Sequence, residues 1–116
     1  KEPDRCCQRL SWADLDLAPL ESLIQLAKSE DLDAAGLRYC SAPPGDPSAA
    51  LLDPQQTLAA TLRPRNPITL CGVQLAPRVL AAYDDRLRFE PAASDGQTLA
   101  PGEPIGRASG PARSLL

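Results

Sequence analysis

Asp95-Gly96-Gln97-Thr98-Leu99-Ala100-Pro101-Gly102-Glu103-Pro104-Ile105-Gly106-Arg107-Ala108-Ser109-Gly110-Pro111-Ala112-Arg113-Ser114-Leu115-Leu116 closes the chain and decides its fold class. Asp95-Gly96 and Pro101-Gly102 are turn pairs: glycine adopts positive φ without steric cost, and proline presets its own φ. Short apolar pieces, Thr98-Leu99 and Ile105 to Ala108, lie beside them, so this stretch predicts compact β structure that doubles back repeatedly. Pro111 is suited to the first turn of a helix, so Gly110 to Arg113 reads as a helix start.

Working outward, Arg86-Leu87-Arg88-Phe89-Glu90 alternates strictly, which puts Leu87 and Phe89 on one strand face and the charges on the other. Pro77 opens a predicted helix through Tyr83, with Val79, Leu80 and Tyr83 as its inward stripe and Asp84-Asp85 at its end. Two strands precede it, Thr57 to Arg63 and Ile68 to Cys71, separated by the turn pair Asn66-Pro67 and followed by a change of direction at Gly72. Residues 41–54 hold Pro43, Pro44, Gly45, Pro47 and Pro54 and read as loop. A first helix is expected from Pro19, with Leu20, Leu23, Ile24 and Ala27 at helical spacing, ending near Asp31 to Asp33. Residues 1–18 read as an irregular segment with a turn at Ser11 to Asp14, and residues 19–116 as the domain. The order helix, strand, strand, helix, several strands, helix defines an α+β fold, a mainly antiparallel sheet with helices on one face.

Fifteen acids oppose twelve bases for a net charge of −3, and the chain has one Trp, one Phe and two Tyr. Without clustered bases or stacking aromatics, no nucleic-acid surface is expected. Only Lys1 and Lys28 are lysine, so the remaining bases are arginines, which suit forked contacts with carboxylates and phosphates. No apolar run approaches the roughly 20 residues of a membrane span, and no signal-peptide core stands at the start. No membrane association and a cytoplasmic location are expected. Cys6, Cys7, Cys40 and Cys71 lack the spacing of a disulfide framework or of paired zinc knuckles, and histidine is absent. They read as four reduced thiols, with Cys71 the one expected in the core. Absence of histidine also deprives any serine or cysteine nucleophile of its usual base.

The tail from Asp95 to Leu116 closely resembles the end of the N-terminal domain of quinolinate phosphoribosyltransferases: a DG turn, a PG turn, a small-residue strand and a G-x-x-R-x-L-L helix start. Leu23 to Leu32 resembles the family's first helix with its Glu30-Asp31-Leu32 exit, and Leu70-Cys71-Gly72-Val73 its short strand closing on glycine. The resemblance spans about residues 20 to 116. Two stretches depart from the family: Gly36 leads into Leu37-Arg38-Tyr39-Cys40 instead of Gly-Asp-aliphatic-Thr, and the Asn66-Pro67 turn lacks an acidic-glycine pair.

The resemblance implies an α/β-hammerhead-like N-terminal domain with the barrel domain absent from the sequence. It also implies an enzyme that converts quinolinate and phosphoribosyl pyrophosphate to nicotinate mononucleotide, pyrophosphate and CO2. The expected partners are the protein's own C-terminal barrel and a second subunit in a homodimer. No cofactor is expected within these residues, and Mg²⁺ would accompany phosphoribosyl pyrophosphate in the full-length enzyme. The start at Lys1, the lack of methionine and the apolar Leu115-Leu116 end are expected of a piece of a longer chain, inactive alone. A free-standing interaction module derived from the same domain is the alternative.

Arg113 is the candidate substrate-binding residue, and Arg107 a weaker one, since guanidinium forks fit the dicarboxylate and the pyrophosphate. Surface or interface ion pairs are the structural alternative for both. No residue is assigned a catalytic or metal-binding role; Glu30, Asp31 and Asp33 read as a solvated helix end. A biotinyl or lipoyl carrier domain shares the glycine turns. It needs a lysine at a turn tip, and Lys1 and Lys28 stand elsewhere.

Overall fold

The computed structural model describes residues 10–38 and 45–116. Helix α1 (Leu17–Asp33) starts two residues before Pro19, because Asp16 caps it, its carboxylate accepting the Ala18 N–H at 3.1 Å. A short 3₁₀ turn precedes it at Trp12–Asp14, where Ser11 and Asp14 form a reciprocal capping box. Strands β1 (Thr57–Leu62) and β2 (Ile68–Thr69) follow, then α2 (Ala76–Tyr83), β3 (Arg88–Pro91), β4 (Thr98–Leu99), β5 (Gly106–Pro111) and the single turn α3 (Ala112–Leu115). That order of helices and strands matches the sequence reading.

The strands form two antiparallel sheets, one ordered β1-β5-β3 and one pairing β2 with β4. α1 packs on α2, and α2 packs on β3. β5 is central, and its inward residues are Gly106, Ala108 and Gly110, which are small because Phe89 and Leu87 of the neighbouring segment lie across them. A Cβ at Gly106 would stand 2.3 Å from the Phe89 ring and 2.9 Å from the Glu90 carbonyl oxygen. At Gly110, where φ is +149°, it would stand 2.8 Å from a Leu87 methyl. Leu87 precedes the strand and is buried, while Arg88 and Glu90 are exposed. The expected separation of faces holds.

The second sheet carries its own small core, Leu70, Ala93 and Leu99, flanked by Ile68, Val73 and Ile105. Both glycine turns form as expected, with Gly96 and Gly102 at φ +86°. Each is reinforced by a side chain: Gln97 accepts the Ser94 N–H at 2.6 Å, and Glu103 accepts the Ala100 N–H at 2.8 Å. Asp95 does more than turn, since its carboxylate accepts the Val73 N–H at 2.8 Å and ties the β2–β4 unit to the start of the α2 region.

Cys71 corrects the reading of a buried thiol. β2 ends at Thr69, and inward Ile68 and Leu70 alternate with outward Thr69 and Cys71, so the cysteine is exposed and free. It is expected to react with a thiol reagent in the native protein about as fast as after unfolding; mass-mapped labelling that needs denaturant would contradict this placement. The expectations for Cys6, Cys7 and Cys40 concern residues outside the described ones.

Pro111 is also placed differently. It ends β5, paired with Thr57, and the helix begins one residue later at Ala112. An isolated turn of this length is unstable in water. Here it is held, because Ala112 is 1% exposed and its N–H donates to the Gln56 carbonyl at 2.8 Å. Leu115 is half-buried and Leu116 exposed.

Candidate functional site: the Arg113 cleft

α3, the ends of α1 and α2, and the segment around Ala49 line an open cleft of about 910 Å³. Tyr83, Arg113 and Ser114 give it polar groups, and Leu80, Val79 and Leu115 give it apolar wall. Arg113 is exposed on α3, and its Nε donates to the Leu52 carbonyl at 2.6 Å. Among the described residues its two terminal nitrogens have no hydrogen-bond or ion-pair partner. That leaves the outer edge of the guanidinium for an external anion, in the geometry that accepts a carboxylate or phosphate through two parallel bonds.

Arg107 lies elsewhere. It is exposed on β5 between Thr61 of β1 and Glu90 of β3 in the cross-strand register and does not line the cleft. The two arginines singled out in the sequence are not brought into one site.

Two residues that the sequence marks only as the inward stripe and the end of α2 do more than that, one lining the cleft and one bonded to Ser114 beside it. Tyr83 donates its hydroxyl to Asp31 at 3.1 Å, and burial, with the Asp31 carboxylate, pushes its phenol up, so it remains a protonated donor. Asp31 therefore serves a tie between α1 and α2. Lys28 adds a second tie, donating to the Ala82 carbonyl at 2.6 Å with its ammonium 5.8 Å from the Tyr83 ring centre.

Asp84 is the other. Its side chain, 10% exposed, accepts from the Arg86 backbone N–H at 2.9 Å, from Arg86 Nε at 2.9 Å and Nη2 at 2.7 Å, and from Ser114 Oγ at 2.6 Å. The Arg86 guanidinium, followed by the Ser114 hydroxyl, holds its carboxyl well below the ordinary value of 3.8. A carboxyl lowered by folding stabilises the fold fully above that ordinary value and loses the contribution as pH falls below it. The thermal midpoint is therefore expected to drop more steeply on acidification below pH 3.8 in the native protein than in Asp84→Asn. Parallel midpoint curves from neutral to strongly acidic pH would contradict this.

Among the described residues no three Cys, Asp or Glu side chains converge to hold a metal ion. Among them, too, no helix is long and apolar enough to cross a membrane.

Residues 46–116, from the cleft wall through every strand to α3, match the family model described as quinolinate phosphoribosyl transferase, N-terminal domain. α1 lies outside that match. Among solved structures the chain is similar to NadC from Streptococcus pyogenes, with a TM-score of 0.72 at 23% identity over 88% of this chain and 33% of that one. It is similar also to the nicotinate-nucleotide pyrophosphorylase from Francisella tularensis, with a TM-score of 0.71 at 23% identity over 87% and 32%. A third, the nicotinate-nucleotide pyrophosphorylase from Ehrlichia chaffeensis, gives 0.64 at 17% identity over 94% and 34%. At these identities the structures speak for the fold, and the chain spans about a third of their length. No protein of curated function matches the sequence. The α+β fold found in those neighbours and the family match over the sheet, α2 and α3 lead to one assignment: this chain belongs to the quinolinate phosphoribosyl transferase N-terminal domain family.

Proposed function

We propose that residues 19–116 form the substrate-site-completing and dimerisation domain of an enzyme transferring phosphoribosyl from its pyrophosphate to quinolinate. The pyridine nitrogen bonds to the ribose carbon as pyrophosphate leaves. The carboxyl group adjacent to that nitrogen departs as CO2, its ring carbon takes a proton, and nicotinate mononucleotide results. The catalytic groups belong to a C-terminal barrel, Mg²⁺ accompanies the pyrophosphate there, and the enzyme works as a cytoplasmic homodimer.

The observation that carries this reading is the family match, which runs through the cleft bearing Arg113. The outer edge of that guanidinium, without a partner among the described residues, supplies what a dicarboxylate or a pyrophosphate needs, two parallel donors and a fixed positive charge. Arg113 orients and neutralises; it moves no proton at neutral pH. Uncovered leucines, Leu23 and Leu26 on α1 at 62% and 54% exposure, support a domain that meets a further protein surface.

The test is acceptor selectivity of the full-length protein. Quinolinate with phosphoribosyl pyrophosphate is expected to give nicotinate mononucleotide, and nicotinate to be a poor acceptor. Turnover of nicotinate in preference to quinolinate would refute the substrate. A homogeneous protein that turns over neither would favour the interaction module.

A further inference from the structure

α3 contains only four residues, too few to fix the direction of any side chain by helical stability alone. Three bonds from three successive residues hold it: Ala112 N–H to the Gln56 carbonyl, Arg113 Nε to the Leu52 carbonyl, and Ser114 Oγ to the Asp84 carboxylate. The first two end on neutral backbone acceptors in the segment preceding β1. Only the third ends on a charge, and that charge is itself oriented by three bonds from Arg86. The Ser114–Asp84 bond is partly buried and shielded from competing water, where a charge-assisted bond is strongest.

We infer that Asp84, acting through Ser114, is a positioning residue for Arg113, holding α3 so that the guanidinium's outer edge faces the cleft. The inference rests on the reading of Arg113 as a substrate contact and adds the device that aims it. Asp84 touches no substrate. Its effect reaches the site through one hydroxyl and one turn of backbone, so it should alter substrate affinity through Arg113 and through nothing else.

A double-mutant cycle on the full-length enzyme tests this, with the KM for quinolinate and kcat measured separately and the thermal midpoint recorded for each protein. Arg113→Ala is expected to raise KM about tenfold or more, the size of a lost charged hydrogen-bond pair. Ser114→Ala and Asp84→Asn should each raise KM severalfold, Ser114→Thr should restore it by keeping the hydroxyl, and neither change should add anything in the Arg113→Ala background. Because Asp84→Asn also removes a structural ion pair, Ser114→Ala carries the decision if the other variant folds poorly. KM effects of Ser114→Ala that multiply with those of Arg113→Ala would overturn the inference. So would a strong Arg113→Ala effect beside a silent Ser114→Ala, which leaves Arg113 a substrate contact that needs no aiming. An Arg113→Ala enzyme with native KM would instead remove the substrate-contact reading, and the inference with it.

Discussion

Gly106→Val is expected to destabilise the domain by about 3 kcal/mol, the top of the usual range of overpacking, because the position cannot yield. Gly106 is an inward residue of the central strand, paired with Leu62 on one side and Pro91 on the other. The first carbon of any side chain there would fall 2.3 Å from the end of the Phe89 ring and 2.9 Å from the Glu90 carbonyl oxygen. A ring tip can swing, at the cost of its place against α2. The carbonyl belongs to the pairing of β3 with β5 and can move only by opening that ladder. Alanine should therefore already cost part of the effect, and valine, with two further methyls, most of it. Urea unfolding reads the difference directly; a valine variant within about 1 kcal/mol of the native protein would show that β3 is not held against β5 as described.

Leu87→Ala is expected to cost about 2–4 kcal/mol, the usual price of emptying a buried leucine site. Leu87 is 4% exposed, less than Leu70 and Leu99 at 7%. Its methyl packs under Gly110, whose left-handed φ brings the β5 backbone down onto it. The cavity left by alanine lies between the Asp84 turn and the strand that leads into α3. Loss of stability should thus come with loosening of α3, seen as faster amide exchange at Leu116, whose N–H donates to the Ala112 carbonyl. A loss under about 1 kcal/mol would mean that β5 settles into the space at little cost.

Local chemistry made the order of elements legible. The glycine turns at Gly96 and Gly102, the alternation from Leu87 to Glu90 and the proline-led α2 all express themselves within a few residues, and each formed. What stayed hidden joins residues far apart in the chain. Nothing near Gly106 announces that Phe89 will lie on it, because periodicity reports which way a side chain points and not what it meets. Asp84 read as a helix end for the same reason: its partner Ser114 is brought to it by the return of β5 alongside β3. Arg113 was legible as a candidate through the motif around it. Its bond to the Leu52 carbonyl, and the cleft it faces, required the fold. Cys71, expected in the core, lies outside because the two-residue period turns Ile68 and Leu70 inward and sends Thr69 and Cys71 outward.

The proposed function makes this domain part of an enzyme releasing one CO2 for each nicotinate mononucleotide formed, a part that contributes to the site without performing the reaction. The most direct measurement counts both products from quinolinate and phosphoribosyl pyrophosphate, for the full-length protein and for the isolated 116-residue chain side by side. The full-length protein is expected to give CO2 and nicotinate mononucleotide in equal amounts, and the isolated chain neither. Turnover by the chain alone, or mononucleotide formed without CO2, would contradict the account.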